Sequence, residues 1–426
     1  MRRNKVALPG PDDVLRQTLP NGITVLAREN FASPSVVLDG YLIAGSEDDP
    51  PDQEGLASLA VDVMERGTHR RPFEQLYEEV ESVGATFGFS AGVHSTAFGA
   101  KGLAEQLPLL LDICSDVMRN PTFAPEQVER ARAELLSALR EQEFDTRSRA
   151  SRAFHELAYP AAHPYHRQVS GTLESVERLR RDDLRDFHER YIKPQGMVIT
   201  IVGAVKAGDA LTAVQNAFGD WEGVRPPRPP LPAVPPLTTR REQYIPLPEK
   251  TQADLVLGWP GPERRAPDFL ACQLANTLLG VFGMMGRLGE QVRSQNGLAY
   301  YVYSSLDSAI GPGPWQAIAG VHPAHVEKAI ALILDEVQRL REEPVPAAEL
   351  ADNQAYLIGS LPLRLETNEG VAGNLTYIER FELGLDYLLR YEERISAITA
   401  ADIQSVAQRW LNPAAFALGV SGPPRA

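Results

Sequence analysis

Seven prolines, Pro226, Pro227, Pro229, Pro230, Pro232, Pro235 and Pro236, interrupt the chain near its middle. Proline fixes φ and has no N–H to donate, so this stretch forms neither a helix nor a central strand. It reads as an extended, semi-rigid linker over 223–241. A chain of 426 residues is too long for one ordinary core. The expected organisation is therefore one domain over 1–222 and a second over 242–426.

The two sides show the same kind of pattern. Before the linker, Pro20-Asn21-Gly22 marks a tight turn between strand-like runs. A strand follows over 35–44. Leu56, Leu59, Ala60 and Val63 then recur at helical spacing over 54–65. Further helices are expected over 72–83, 103–118 and 125–157, with strands over 85–98 and 197–202 and a helix over 207–218. After the linker, strands are expected over 252–258, 299–305, 315–321 and 416–421. Helices are expected there over 268–279, 287–294, 324–342, 347–360 and 401–410. Two α+β halves around a linker suggest an internal duplication.

Composition narrows the function classes. The formal net charge is −14, which disfavours nucleic acid and anionic membranes as partners, because both need a basic face. No stretch is long and apolar enough to span a bilayer. The basic opening lacks an apolar signal core, so a cytoplasmic location is the default expectation. Cys114 and Cys272 lie in apolar runs and read as buried thiols. His163 with His166, and His322 with His325, flank prolines. They and the other histidines read as surface or capping residues, not ligands.

The segment 55–68, Gly-Leu-Ala-Ser-Leu-Ala-Val-Asp-Val-Met-Glu-Arg-Gly-Thr, resembles the active-site helix of the pitrilysin-like inverted zincins. Insulysin and mitochondrial processing peptidase are members of that family. Active members carry H-x-x-E-H between a Gly-Leu-Ala start and a Gly-Thr finish. Leu19-Pro20-Asn21-Gly22, the stretch 161–165 with Gly171-Thr172, Gly297-Leu298-Ala299-Tyr300 and Asn412-Pro413 extend the resemblance over nearly the whole chain. It implies two homologous α+β domains, each a mostly antiparallel sheet with helices packed on one face.

The metal chemistry of that motif is missing. Two histidines at i and i+4 share a helix face and one zinc, and the intervening glutamate polarises the bound water. In register, Ser58 and Asp62 stand for the histidines and Val61 for the glutamate. The resemblance puts the third ligand, a glutamate in active members, at Ala138. Ala138 has no donor atom and Val61 accepts no proton. A hydroxyl and one carboxylate make a poor zinc site. No cofactor is expected, and peptide hydrolysis by the chain alone is not.

One working feature of the family is retained. Arg293 and Tyr300, in Arg293-Ser294-Gln295-Asn296-Gly297-Leu298-Ala299-Tyr300, resemble the Arg/Tyr pair of the second half of active members. A helix ending near Arg293, a stop at Asn296-Gly297 and a strand starting by Tyr300 would present both side chains to a peptide. Arginine can bind a carbonyl or carboxylate, and a tyrosine hydroxyl can donate to an oxyanion. In some members of the family one chain supplies zinc and a partner chain supplies Arg/Tyr. The resemblance thus implies a non-catalytic subunit that binds a peptide substrate together with a homologous zinc-bearing subunit. It leaves open a homodimer, a structural scaffold or a stand-alone peptide-binding protein.

Overall fold

The computed structural model describes residues 8–281 and 286–424 and divides into two compact units. The basic residues of the opening, up to position 7, lie outside the described residues. The first unit comprises the chain up to Leu139, Gln168–Pro229 and Leu361–Arg390. The second comprises Arg140–Arg167, Pro230–Ser360 and the chain from Tyr391 onward. The units change over within the proline run, between Pro229 and Pro230. Each unit also takes a segment from the far side of that run, so neither coincides with 1–222 or 242–426.

Six strands form the sheet of the first unit: β1 (Leu15–Thr18), β2 (Thr24–Glu29), β3 (Ser35–Leu42), β4 (Thr86–Ala91), β5 (Thr96–Leu103) and β6 (Val198–Gly203). Their order is β1-β2-β6-β3-β5-β4, and only the β2–β6 pair is parallel. The turn at Asn21-Gly22 closes the β1–β2 hairpin with Thr18 opposite Thr24. One face of the sheet is apolar: Val36, Leu38 and Leu42 alternate along β3 into the core. The helices α1 (Leu56–Met64), α2 (Phe73–Glu81) and α3 (Leu107–Arg119) contribute Leu59, Leu76 and Leu110 to that core.

The intervening β3 residues Asp39 and Tyr41 point to the other face, which the helix Asn368–Arg380 covers. Thr376 and Thr200 hydroxyls hydrogen-bond there at 2.8 Å, and burial raises the pKa of Asp39. The helix thus covers a partly polar sheet face and supplies hydrogen bonds as well as apolar cover.

The helix expected over 125–157 is two helices, α4 (Pro125–Glu143) and α5 (Thr146–Ala158). Asp145 makes the break by N-capping α5, its Oδ1 accepting from Ser148 N at 2.7 Å. Arg149 and Arg152 then return to the Glu143 carboxylate and hold the corner. The expected helix at 103 begins later, because Leu103 still belongs to β5.

In the second unit β7 (Arg241–Pro246), β8 (Ala253–Pro260), β9 (Ala299–Leu306), β10 (Pro314–Val321) and β11 (Ala417–Gly422) run in the order β7-β11-β8-β10-β9. Only β11–β7 is parallel. Helix α5 lies against β11, β8 and β7. Strand β10 is buried along its length, and Trp315 Nε1 donates to Asn276 Oδ1 at 2.9 Å. Both units are sheet-plus-helix assemblies of α+β type with mostly antiparallel strands.

Candidate functional site

Helix α1 is set by its two ends. Gly55 adopts φ +90, and a Cβ there would lie 2.7 Å from the Ser170 carbonyl oxygen, so the position takes glycine on both counts. The buried Asp49 carboxylate accepts from Gly55 N at 3.0 Å and Ala57 N at 2.9 Å, satisfying two N–H groups at the helix start. At the far end, Thr68 Oγ1 donates to the buried Asp116 carboxylate of α3 at 2.6 Å. Arg71 Nη1 reaches the same carboxylate at 2.9 Å. The Gly-Leu-Ala and Gly-Thr ends of the motif are therefore held by hydrogen bonds and close packing within the chain.

Between those ends and on α4, the four positions in register with the family's metal site, Ser58, Val61, Asp62 and Ala138, lie in different surroundings. Val61 is 1% exposed and packs in the core. Ala138 is exposed on α4. Ser58 and Asp62 share the partly exposed face of α1, as i, i+4 spacing dictates. Ser58 makes no side-chain hydrogen bond among the described residues.

Asp62 is held by a cation of the chain itself. Arg66 Nη2 lies 3.0 Å from Asp62 Oδ2 and donates to Glu134 Oε2 of α4 at 2.6 Å. Glu134 stands one turn before Ala138, on the same side of the helix. The guanidinium thus joins the second-histidine position of α1 to the α4 face where the third ligand would sit. With a hydroxyl, a paired carboxylate, a buried valine and a methyl group as its donor set, this face does not fit zinc. Among the described residues no three His, Cys, Asp or Glu side chains gather closely enough to hold a metal ion.

Sequence reasoning did not single out Arg66, Glu134 or the adjacent Glu65. Glu65 caps the C-terminal end of α1 and accepts from Phe89 N of β4 at 3.2 Å. Burial, reinforced by the nearby Asp62 charge, raises its pKa to about 7. Arg66, in contrast, holds the Glu134 carboxyl below its ordinary range through a direct hydrogen bond.

Arg293 and Tyr300 lie on a helix–turn–strand in the second unit. The π-helical stretch Gly289–Gln295 carries Arg293, and Asn296 and Gly297 donate back to the Arg293 carbonyl. Gly297 adopts φ +63, the left-handed conformation that ends the helix. Strand β9 starts two residues later, at the sheet edge, with Tyr300 58% exposed. Arg293 is also exposed, and neither side chain makes a hydrogen bond or ion pair among the described residues. The next two tyrosines differ. Tyr301 donates to the Asp254 carboxylate, and Tyr303 accepts from Arg147.

The histidines are more varied than surface or capping residues. His163 and His322 do cap 3₁₀ turns, accepting from Tyr165 N and Ala324 N. His163 and His94 are nevertheless buried, and burial lowers the pKa of His155 and His188. Cys114 and Cys272 are free and buried, and burial pushes the Cys114 thiol up to about 12.

Residues 24–172 match the family described as insulinase, peptidase family M16, and residues 178–357 match the peptidase M16 inactive domain. The chain belongs to peptidase family M16, the pitrilysin-like family. A protein named an uncharacterized zinc protease, from Streptomyces coelicolor, is 26% identical over 406 residues, covering 94% of this chain and 87% of its own. Cytochrome b-c1 complex subunit 1 of Rattus norvegicus is 27% identical over 283 residues, 64% of this chain and 57% of its own. The crystal structure of a peptidase M16 inactive domain from Pseudomonas fluorescens superposes with a TM-score of 0.90 at 24% identity, covering 97% of this chain and 98% of that one. That likeness establishes the M16 fold.

Proposed function

We propose that this M16 chain is the non-catalytic subunit of a two-chain zinc peptidase, with Arg293 and Tyr300 positioning the peptide for a zinc-bearing partner. The exposure of both side chains, with no hydrogen-bonding partner among the described residues, carries this reading. Neither side chain is used to bond the last carbonyls of its helix or to fill the core, so both can meet a peptide. Held on a helix stop and a sheet edge, these groups present donors to a substrate carbonyl and its oxyanion. The α1 face complements this assignment: Arg66 pairs with Asp62, and Val61 gives no base. Arg293 and Tyr300 both lie within residues 178–357, the stretch that matches the peptidase M16 inactive domain.

The test is co-expression with an H-x-x-E-H homologue from the same genome. Arg293→Ala and Tyr300→Phe should leave the complex assembled and lower kcat/KM on unstructured peptides on the order of 10²-fold, as loss of an oxyanion donor does. An unchanged rate for both variants would remove the role. The likeness to cytochrome b-c1 complex subunit 1 supports a second reading, a structural subunit. A stable self-assembly that ignores the zinc-bearing homologue in a size measurement would favour it.

A further inference from the structure

Strand β9 carries one residue more than β10 near its start. Ala299 stands opposite Val321 of β10 and Tyr301 opposite Gly320, so Tyr300 is the extra residue of a β-bulge. A bulge re-aims the side chain it carries, and this one lies on the edge strand of the sheet. Which of the two adjacent tyrosines takes that place depends on what holds Tyr301, since a slip of one residue along the strand would exchange them.

Tyr301 is held by three contacts. Its side chain crosses β10, and its hydroxyl donates to the Asp254 carboxylate on β8. Gly320 lies between them in the cross-strand row Asp254, Gly320, Tyr301. A Cβ at Gly320 would come within 2.5 Å of the Tyr301 ring, 2.6 Å of Gln252 Nε2 and 2.9 Å of Asp254 Oδ1, so glycine leaves the slot that the ring fills. The Arg147 guanidinium lies over the Tyr301 ring, 5.6 Å from its centre, and over that of Tyr303 at 5.4 Å. Asp254 is 2% exposed, and it also accepts from Thr146 of α5 and from Gln252, the latter at 2.9 Å. Burial, together with the hydrogen bond and charge of Asp254, pushes the pKa of the Tyr301 phenol up and keeps it a donor.

We infer that Asp254 and Gly320 are positioning residues for Tyr300. By pinning Tyr301 across the sheet they fix the bulge, and they leave Tyr300 as the tyrosine that projects from the edge toward a peptide. That Tyr300 meets a peptide rests on the function proposed above; the fixing of the bulge rests on the sheet alone.

The first measurement needs only the isolated full chain. It is fluorine NMR of protein grown with 3-fluorotyrosine, with the Tyr300 signal assigned by its loss in Tyr300→Phe. The wild type should give one Tyr300 signal with the solvent-isotope shift of an exposed ring. Tyr301→Phe keeps the ring and removes only the hydroxyl, and Gly320→Ala fills the slot. Each should split the Tyr300 signal or reduce its solvent-isotope shift. A single, fully exposed Tyr300 signal in both variants would overturn the inference. The second measurement is kinetic, in the complex with the H-x-x-E-H homologue. Tyr301→Phe should lower kcat on the order of 10-fold with KM within about twofold, because a misplaced donor costs the reacting step more than binding. In a Tyr300→Phe background it should cost nothing further. An equal loss in both backgrounds, or no loss from Tyr301→Phe where Tyr300→Phe slows cleavage, would also overturn the inference. If Tyr300→Phe alone leaves the rate unchanged, the proposed function fails, and the fluorine measurement still decides whether the bulge is fixed by Asp254 and Gly320.

Discussion

Replacing Glu65 with glutamine should convert a pH-dependent stability into a flatter one. The carboxyl titrates near 4.5 in the unfolded chain and at about 7 in the folded protein. Across that window the folded state keeps a proton that the unfolded chain has released. Stability therefore falls as pH rises from about 4.5 and stops falling once Glu65 is ionised in both states, above about pH 7. At 1.36 kcal/mol per pH unit, the full penalty is about 3 kcal/mol. Glutamine carries no charge, and its side-chain oxygen can still accept from Phe89 N. The two proteins should differ least near pH 4.5, and Glu65→Gln should gain about 3 kcal/mol on the wild type by pH 8. Urea unfolding at a series of pH values, with slopes checked for equality, measures this difference and cancels titrations common to both proteins. Adding Asp62→Asn should narrow the window, because the Asp62 charge helps to raise the Glu65 pKa. A difference that stays constant from pH 4.5 to 8 would refute the burial argument.

The bond from Arg66 to Glu134 crosses between helices, but the Glu134 side chain is 50% exposed. A double-mutant cycle with Arg66→Met and Glu134→Gln should give a coupling of only about 0.5–1 kcal/mol, shrinking in high salt; a value several times larger would mean the pair is screened from solvent. A fragment ending at residue 222 should fail to fold natively. It would lose the helix Asn368–Arg380 and leave the Asp39 and Thr200 face of its sheet uncovered. A cooperative unfolding transition with dispersed amide signals from that fragment would contradict the exchange of segments.

What was legible in the sequence was local. The β1–β2 turn follows from Pro20-Asn21-Gly22, α1 from its apolar spacing, and the helix–turn–strand of Arg293 and Tyr300 from a glycine that takes positive φ. The shared face of Ser58 and Asp62 was legible for the same reason, since i and i+4 meet on one side whatever surrounds the helix. The rest depends on partners distant in sequence. Continuous helical periodicity hid the break at Asp145, which one side-chain cap decides. Nothing near 146–158 or 368–380 indicates which sheet each helix will cover. Arg66 meets Glu134 only because α1 and α4 adjoin. Glu65 looks like an ordinary surface glutamate until β4 and Asp62 close around it.

The donor set of the α1 face should neither grip zinc nor activate a water. The most direct test is the zinc content of the purified chain after equilibration with zinc and removal of the free metal, with peptidase activity measured on the same sample. The expected result is far less than one zinc per chain and no cleavage unless a zinc-bearing homologue is added. One tightly held zinc per chain, lost on substitution of Ser58 and Asp62 and accompanied by cleavage, would contradict it.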